Sequence, residues 1–260
     1  MEFYERVSGA RLHAAFIRPL SYDYPLTTTL LNDILDFLHQ FSSRIDELEE
    51  LLTINGILND RLCDVGIISK NFALSYGFSG PLLRSAALPW DLRKTRPYEA
   101  YESVPFNIPV GIYGDSYDRY LLRIWEMRES SRLCSRLCEL LFDWVDTRDI
   151  IMEKLSKKYQ FNLSRNDIKT SMESVIIHFK NFSKGFPVPQ GFCTVSTETP
   201  KGEFAISLAA DGDVLIDRCK IRAPGFFHLA ALVPMSRGLL LADVVAVIGT
   251  LDVVFGEIDR

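Results

Sequence analysis

Apolar residues recur at spacings of three and four in "TTTLLNDILDFLHQFSSRIDELEELLTING". Leu30, Ile34, Phe37, Phe41, Ile45, Leu48 and Leu52 fall on one stripe, which predicts an amphipathic helix with a single buried face. A threonine among 27–29 can cap its start, and Asn55-Gly56 can close it in a left-handed turn. Upstream, "EFYERVSGARLHAAFIRPL" predicts a helix over 2–18, stopped by Pro19 because proline disfavours helical geometry before it. Ser8, Gly9, Ala10, Ala14 and Ala15 make that helix thin, open to close approach by a neighbour. The propensity cost at Gly9 is about 1 kcal/mol, which packing would have to offset.

A short helix is predicted at 70–76, with Ser69 at its cap and Gly77 beyond its end. From Phe78 to Gly114 the periodicity dissolves into glycines, prolines and aromatics, a length of irregular chain that is usually functional or wrapped on a partner. "GDSYDRYLLRIWEMRESSRLCSRLCELLFDWV" then restarts a long helix, with Asp115 in cap position and Asp118 three residues on. Residues 147–165 are charged and weakly patterned, and a surface insertion is expected over 143–167. A further helix is expected at 167–182, ending near Lys184-Gly185.

Beyond it the period changes from helical to alternating. "GEFAISLAADGDVLIDRCKIR" reads as two strands around Asp211-Gly212, a strong hairpin signal. The expected fold is therefore α+β and mainly α: a helical bundle over 1–185, then a mixed C-terminal portion over 186–260 containing a β-hairpin. The most apolar window, "GLLLADVVAVIGTLDVVFG" at 238–256, contains Asp243 and Asp252. A carboxylate at the bilayer centre costs roughly 2.5–3.5 kcal/mol, so a buried core helix is expected here and not a membrane span.

Composition narrows the chemistry. A net charge of −5 argues against a nucleic-acid partner. Five cysteines at irregular spacing suggest no disulfide framework. Cys134 and Cys138 share a helix face, but no second Cys or His pair lies at usable spacing, so no metal site is expected in this chain. There is no phosphate-binding glycine loop and no nucleophile elbow. "DLRKTRP" at 91–97 suits a phosphate or an acidic neighbour, and equally a solvated face. His13 falls on the thin face of the first helix, where a hydrogen-bonded core histidine is the default; near neutral pH it would also be proton-linked if its partner changed charge.

The strings "EFYERVSGARLHAAFIRP", "RIDELEELLT", "NDRLCDVGI", "YGFSGPLLR", "WDLRKTRPY", "GDSYDRYLLR", "KTSMES", "PKGEF", "RCKIRAPGF" and "LADVVAVIGTLDVVFGEIDR" occur in that order. Together they resemble the 49-kilodalton subunit of respiratory complex I, NADH:ubiquinone oxidoreductase, across essentially the whole chain. The resemblance implies a helical fold related to the large subunit of nickel–iron hydrogenases, without its metal. It implies a role beside the terminal 4Fe–4S cluster, at the end of the ubiquinone channel, in a proton-pumping enzyme whose NADH, FMN and other clusters lie elsewhere. No catalytic residue and no cofactor is expected to belong to this chain alone.

By the same resemblance, His13 matches a histidine that hydrogen-bonds near the terminal cluster and makes its potential depend on pH. Asp252 and Val254 match positions bordering the quinone, and Glu257 and Arg260 fall in the same segment. The structural alternative is that this tail only packs a subunit interface. The implied partners are the small subunit carrying the cluster, the 30-kilodalton subunit, and a separate chain supplying the family's N-terminal portion, since the match begins abruptly at Met1. The implied location is the matrix side of the mitochondrial inner membrane, or the cytoplasmic face in a bacterium. A rival reading is a structural or assembly subunit that keeps the scaffold without electron transfer. One departure stands out: the family's "RPGG" is here "RPLS", which demands a less permissive backbone.

Overall fold

The computed structural model describes residues 1–14, 16–18, 21–22, 26–145, 165–185 and 187–259. In chain order the elements are α1 (Glu2–Ser8), β1 (Ile17–Arg18), β2 (Ser21–Tyr22), α2 (Thr28–Leu52), α3 (Gly56–Leu62), α4 (Lys70–Ser75), α5 (Pro81–Ser85), α6 (Leu92–Thr95), a 3-10 turn (Glu99–Glu102) and α7 (Ser116–Val145). Then come α8 (Arg165–Thr170), α9 (Met172–Ser183), β3 (Gly191–Thr199), β4 (Gly202–Ala210), β5 (Arg218–Arg222), α10 (Pro224–Ala230), α11 (Leu232–Met235), α12 (Leu241–Leu251) and α13 (Phe255–Asp259). The chain is α-rich with a small antiparallel sheet, as the α+β, mainly α reading expects. No helix among the described residues is long and apolar enough to cross a membrane.

Two compact units emerge. One comprises Met1–Gln40, Cys134–Pro189 and Gly212–Leu215; the other comprises Phe41–Leu133, Gln190–Asp211 and Ile216–Arg260. In the first, Arg6 on α1 pairs with Glu2 at 2.8 Å and with Asp33 on α2. Phe3 meets Phe37 edge-on at 5.7 Å between centroids. Thr27 Oγ1 accepts the Leu30 N–H at 3.3 Å, the cap expected for α2. Ser171 breaks the helix expected at 167–182 into α8 and α9, because its hydroxyl turns back to cap Ser174 N–H. Gly185 follows the end of α9 at φ 84°.

The first helix is much shorter than its periodicity predicts. Gly9 adopts a left-handed conformation (φ 74°), and its N–H closes on Glu5 O at 2.8 Å, ending α1 at Ser8. The freedom that made Gly9 a tolerated interior residue makes it a better terminator. Among the described residues no atom would meet a Cβ there within 4 Å, so no neighbour within the described chain packs closely on this glycine. His13 therefore sits on non-helical chain and is exposed, not packed on a thin helix face. Pro19 and Leu20 lie outside the described residues, as do residues 146–164 of the expected insertion.

The second unit holds the main core. Val65, Ile68, Ala73, Phe78, Leu82, Leu83, Ala86, Ala231, Met235, Val247 and Leu251 form one buried cluster. The segment from Phe78 to Gly114 is thus structural heartwood, although its periodicity is broken. Its central device is Arg84, fully buried, which donates to Glu126 (2.7 Å), Glu198 (2.8 Å) and Trp90 O (3.1 Å) and stands 3.6 Å from Asp91. Asp91 is claimed more tightly by Arg93 at 2.7 Å, whose guanidinium also stacks 4.7 Å over Phe106. Arg93 in "DLRKTRP" thereby meets its acidic neighbour inside the run.

Caps redirect several predicted boundaries. Asn55 does not close α2 in a left-handed turn; it is extended (φ −71°) and caps α3 by accepting the Ile57 N–H at 2.9 Å. Ser69 and Gly77 flank α4 as expected, with Gly77 at φ 69°. Asp115 accepts the Asp118 N–H at 2.8 Å, a standard cap for α7. Asp118 does not reciprocate; its Oδ2 gathers the N–H groups of Ile112, Tyr113 and Gly114 at 2.9, 2.6 and 3.1 Å.

The sheet order is β3-β4-β5, both pairs antiparallel. The tight turn lies at Pro200-Lys201, between Thr199 and Gly202, and β3 is the strand the sequence reading omits. Around Asp211-Gly212 the link is wider: β4 ends at Ala210 and β5 starts at Arg218, with Val188 N–H bonded to Asp213 O at 3.2 Å. The Asp-Gly pair therefore does not form a two-residue turn: seven residues separate the strands, and the Asp213 carbonyl is taken up outside the ladder by Val188.

Candidate functional site

The C-terminal segment is built onto the second unit by backbone contacts at one helix end. α12 stops at Leu251, and Asp252 takes a left-handed conformation (φ 54°, ψ 51°) uncommon outside glycine but tolerated by Asp. After it the chain turns through Val253 and Val254 into α13. Asp252 is held twice by Lys201, whose Nζ lies 2.8 Å from Oδ1 and 2.7 Å from its carbonyl.

Lys201 is placed by the β3–β4 turn, which docks on the Ser79-Gly80 loop. A Cβ on Gly80 would stand 2.5 Å from Gly202 Cα, and one on Gly202 would stand 2.5 Å from Ser79 Oγ. Both glycines have positive φ, 65° and 141°, so two backbones meet where no side chain fits.

Next to it in the same unit, α7 delivers two arginines one helical turn apart, Arg119 fully buried and Arg123 half-buried. Arg119 donates Nε to Thr250 Oγ1 (3.2 Å), Nη1 to the carbonyls of Gly66 and Gly114 (3.0 Å each) and Nη2 to Ser116 Oγ (2.7 Å). Arg123 donates Nη2 to the Thr250 carbonyl at 2.7 Å. Burial, then the charge of Arg123, push the Arg119 pKa down to about 9, so it remains a cation at neutral pH. Burial also lowers Arg123, opposed by the charges of Asp252 and Glu126.

Glu257 on α13 reaches back to α10: its Oε1 accepts the Gly225 N–H at 2.9 Å. Oε2 is buried without a hydrogen-bond partner among the described residues, and a Cβ on Gly225 would come within 2.8 Å of it. Three residues along α10 lies His228, fully buried, edge-on to Phe78 at 5.4 Å. Neither ring nitrogen has a hydrogen-bond partner among the described residues. Burial, then the charges of Arg123 and Arg222, push its pKa down to about 4, so the ring is neutral at physiological pH.

Of the residues singled out from sequence, Asp252, Val254 and Glu257 thus share one segment of one unit. Val254 is about half exposed and Phe255 is 83% exposed, an apolar edge left open beside the Asp252 turn. His13 belongs to the other unit. Arg260 lies outside the described residues. Arg119, Arg123 and Lys201 escape the sequence reading, although the first two stand in "GDSYDRYLLR" at a spacing of four and Lys201 in "PKGEF". Among the described residues no group of three or more His, Cys, Asp or Glu is placed to hold a metal ion. Cys134 and Cys138 lie one turn apart on α7, the first exposed and the second buried.

Comparison with known proteins identifies the class. The family described as "Respiratory-chain NADH dehydrogenase, 49 Kd subunit" matches residues 1–260. The chain is 52% identical to the NADH-ubiquinone oxidoreductase 49 kDa subunit of Prototheca wickerhamii, covering all of this chain and 63% of that protein. It is 50% identical to the same protein of Cafeteria roenbergensis and 48% identical to that of Reclinomonas americana. In both cases all of this chain and 64% of the relative are covered. The chain belongs to the 49 kDa subunit family of respiratory-chain NADH dehydrogenase. It spans somewhat under two thirds of the length of these relatives.

Proposed function

We propose that this chain forms the cluster- and quinone-facing part of the 49 kDa subunit in a proton-pumping NADH:ubiquinone oxidoreductase. The observation that carries the reading is the family match over all 260 residues. The way Asp252, Val254 and Glu257 are fixed at one edge supports it. In this reading the small subunit with the terminal 4Fe–4S cluster and the 30-kilodalton subunit are its partners. The apolar residues left exposed on α9 (Met172, Phe179 and Phe182 at 79, 69 and 81%) suit burial against such neighbours. The hydrogenase-like ancestry of the helical fold and a place in the peripheral arm, on the matrix side of the inner membrane, belong to the same proposal.

The roles follow from chemistry. The cluster, when present, supplies the electrons. His13, exposed on the segment between α1 and β1, offers an imidazole that can approach it and take a proton when the charge beside it grows more negative. Asp252 and Val254 border the quinone, one holding its backbone turn by Lys201 and the other presenting apolar surface to the substrate. Glu257 anchors the segment to α10, and Arg260 is assigned to the same border by its place in the sequence.

The test is a redox titration of the terminal cluster in assembled enzyme carrying His13→Met. The expected outcome is a midpoint potential that no longer falls with pH. An unchanged slope would remove His13 from this role. A subunit acting only as scaffold would further show normal quinone kinetics when Val254 is enlarged.

A further inference from the structure

We propose that Arg119 and Arg123 are positioning residues for the quinone-bordering segment, clamping Thr250 by its hydroxyl and its carbonyl so that the turn at Asp252 starts from a fixed point. This rests on the reading that Asp252 and Val254 border the quinone.

The last carbonyls of a helix have no partner within it and carry its negative end. α12 ends three residues before Val254, so any tilt of that end is transmitted to the pocket edge. Arg123 takes the Thr250 carbonyl at 2.7 Å, and Arg119 takes the Thr250 hydroxyl at 3.2 Å. The hydroxyl in turn donates to Val247 O at 2.9 Å, so the clamp is woven into the last turn of α12.

Among the described residues, neither arginine donates a hydrogen bond to a carboxylate. Arg119 spends its donors on uncharged oxygens from the 65–66 loop, Gly114 and the start of α7, with no exposed surface. Among the described residues, Arg123 makes one other hydrogen bond, to Arg119 O at 3.4 Å. A buried guanidinium is costly to desolvate, and apolar residues of similar volume often stabilise a core as well. What the guanidinium supplies and an apolar group cannot is a rigid fork that fixes oxygens in direction. Here it ties the end of α12 to α7, the helix that also carries the Asp118 loop anchor. Lys201 then holds Asp252 from the β3–β4 turn.

The experiment measures NADH oxidation by assembled enzyme with a short-chain ubiquinone analogue, and separately with a water-soluble artificial acceptor that bypasses the quinone pocket. Arg123→Met is expected to raise the KM for the quinone analogue about ten-fold, the worth of one charge-assisted hydrogen bond, with the artificial-acceptor rate unchanged. Arg123→Lys should recover part of this. Thr250→Val, close in volume and lacking only the hydroxyl, should raise KM about three-fold; it decides the matter should the arginine variants fail to assemble. A loss of assembled enzyme with KM unchanged in every variant that assembles would reduce the arginines to core packing and overturn the proposal. Val254→Phe separates the two layers. A raised KM there with no effect in the clamp variants overturns the clamp and leaves the pocket assignment standing. No effect in any of them overturns both.

Discussion

At the residue scale, the buried imidazole of His228 sets a pH dependence. Its folded pKa of about 4 lies below the ordinary 6.5, so between these values the unfolded chain binds a proton that the folded chain does not. Its contribution is therefore fully present above about pH 6.5 and is lost as pH falls toward 4, up to about 3 kcal/mol. Melting temperatures of the purified protein between pH 4 and 7 should fall with acid, and His228→Phe should flatten that part of the curve. A slope unchanged in the variant would show that other groups carry it. Gly80→Ala is the steric counterpart. Its Cβ would sit 2.5 Å from backbone at a positive φ, so a loss of more than about 2 kcal/mol is expected, measured by thermal unfolding. None of this is visible in "YGFSGPLLR" read alone, because both the cage around His228 and the backbone facing Gly80 come from distant chain.

At the element scale, helix ends explain most departures from periodicity. Gly9, read as an interior residue of the first helix, ends it instead, and Asn55, read as part of the turn closing α2, caps α3. The amphipathic stripe of α2 was legible, yet Ile45 is buried while Leu48 and Leu52 of the same stripe are exposed at 43 and 37%. Periodicity names the face, not what covers it. Asp118 shows the same limit, since its partners precede it in a loop with no pattern. Asp118→Ala would leave three backbone N–H groups at 112–114 without their acceptor, and a loss of about 3 kcal/mol or more is expected. Faster amide hydrogen exchange at Ile112, Tyr113 and Gly114 would locate the effect; unchanged exchange there would refute this assignment of the anchor.

At the scale of the whole molecule, the Arg84 network joins α5, α6, α7 and β3 within the second unit. Two arginines face three carboxylates: Arg84 and Arg93 against Asp91, Glu126 and Glu198. Burial pushes the Glu198 pKa up despite Arg84; burial opposes but does not prevent the lowering of Asp91 by Arg93. Arg84→Met strands buried acids and should cost about 3–5 kcal/mol, read as loss of assembled enzyme. Adding Glu198→Gln to Arg84→Met should recover part of the loss, since one stranded charge is then gone. No recovery would mean that packing, not charge, is what Arg84 supplies.

The sequence by itself determined the class of fold, the long amphipathic helix, a threonine cap among 27–29, the caps at Ser69 and Asp115, and the family, because these rest on local spacing and on strings of side chains. Tertiary structure alone decided that His13 stands exposed on irregular chain, and that β3 and not Asp211-Gly212 makes the tight hairpin. It also decided that two arginines and a lysine hold the turn at Asp252. Those outcomes depend on which distant backbone groups need a partner. A buried donor or acceptor must be satisfied by whatever the fold brings beside it, and periodicity carries no record of that.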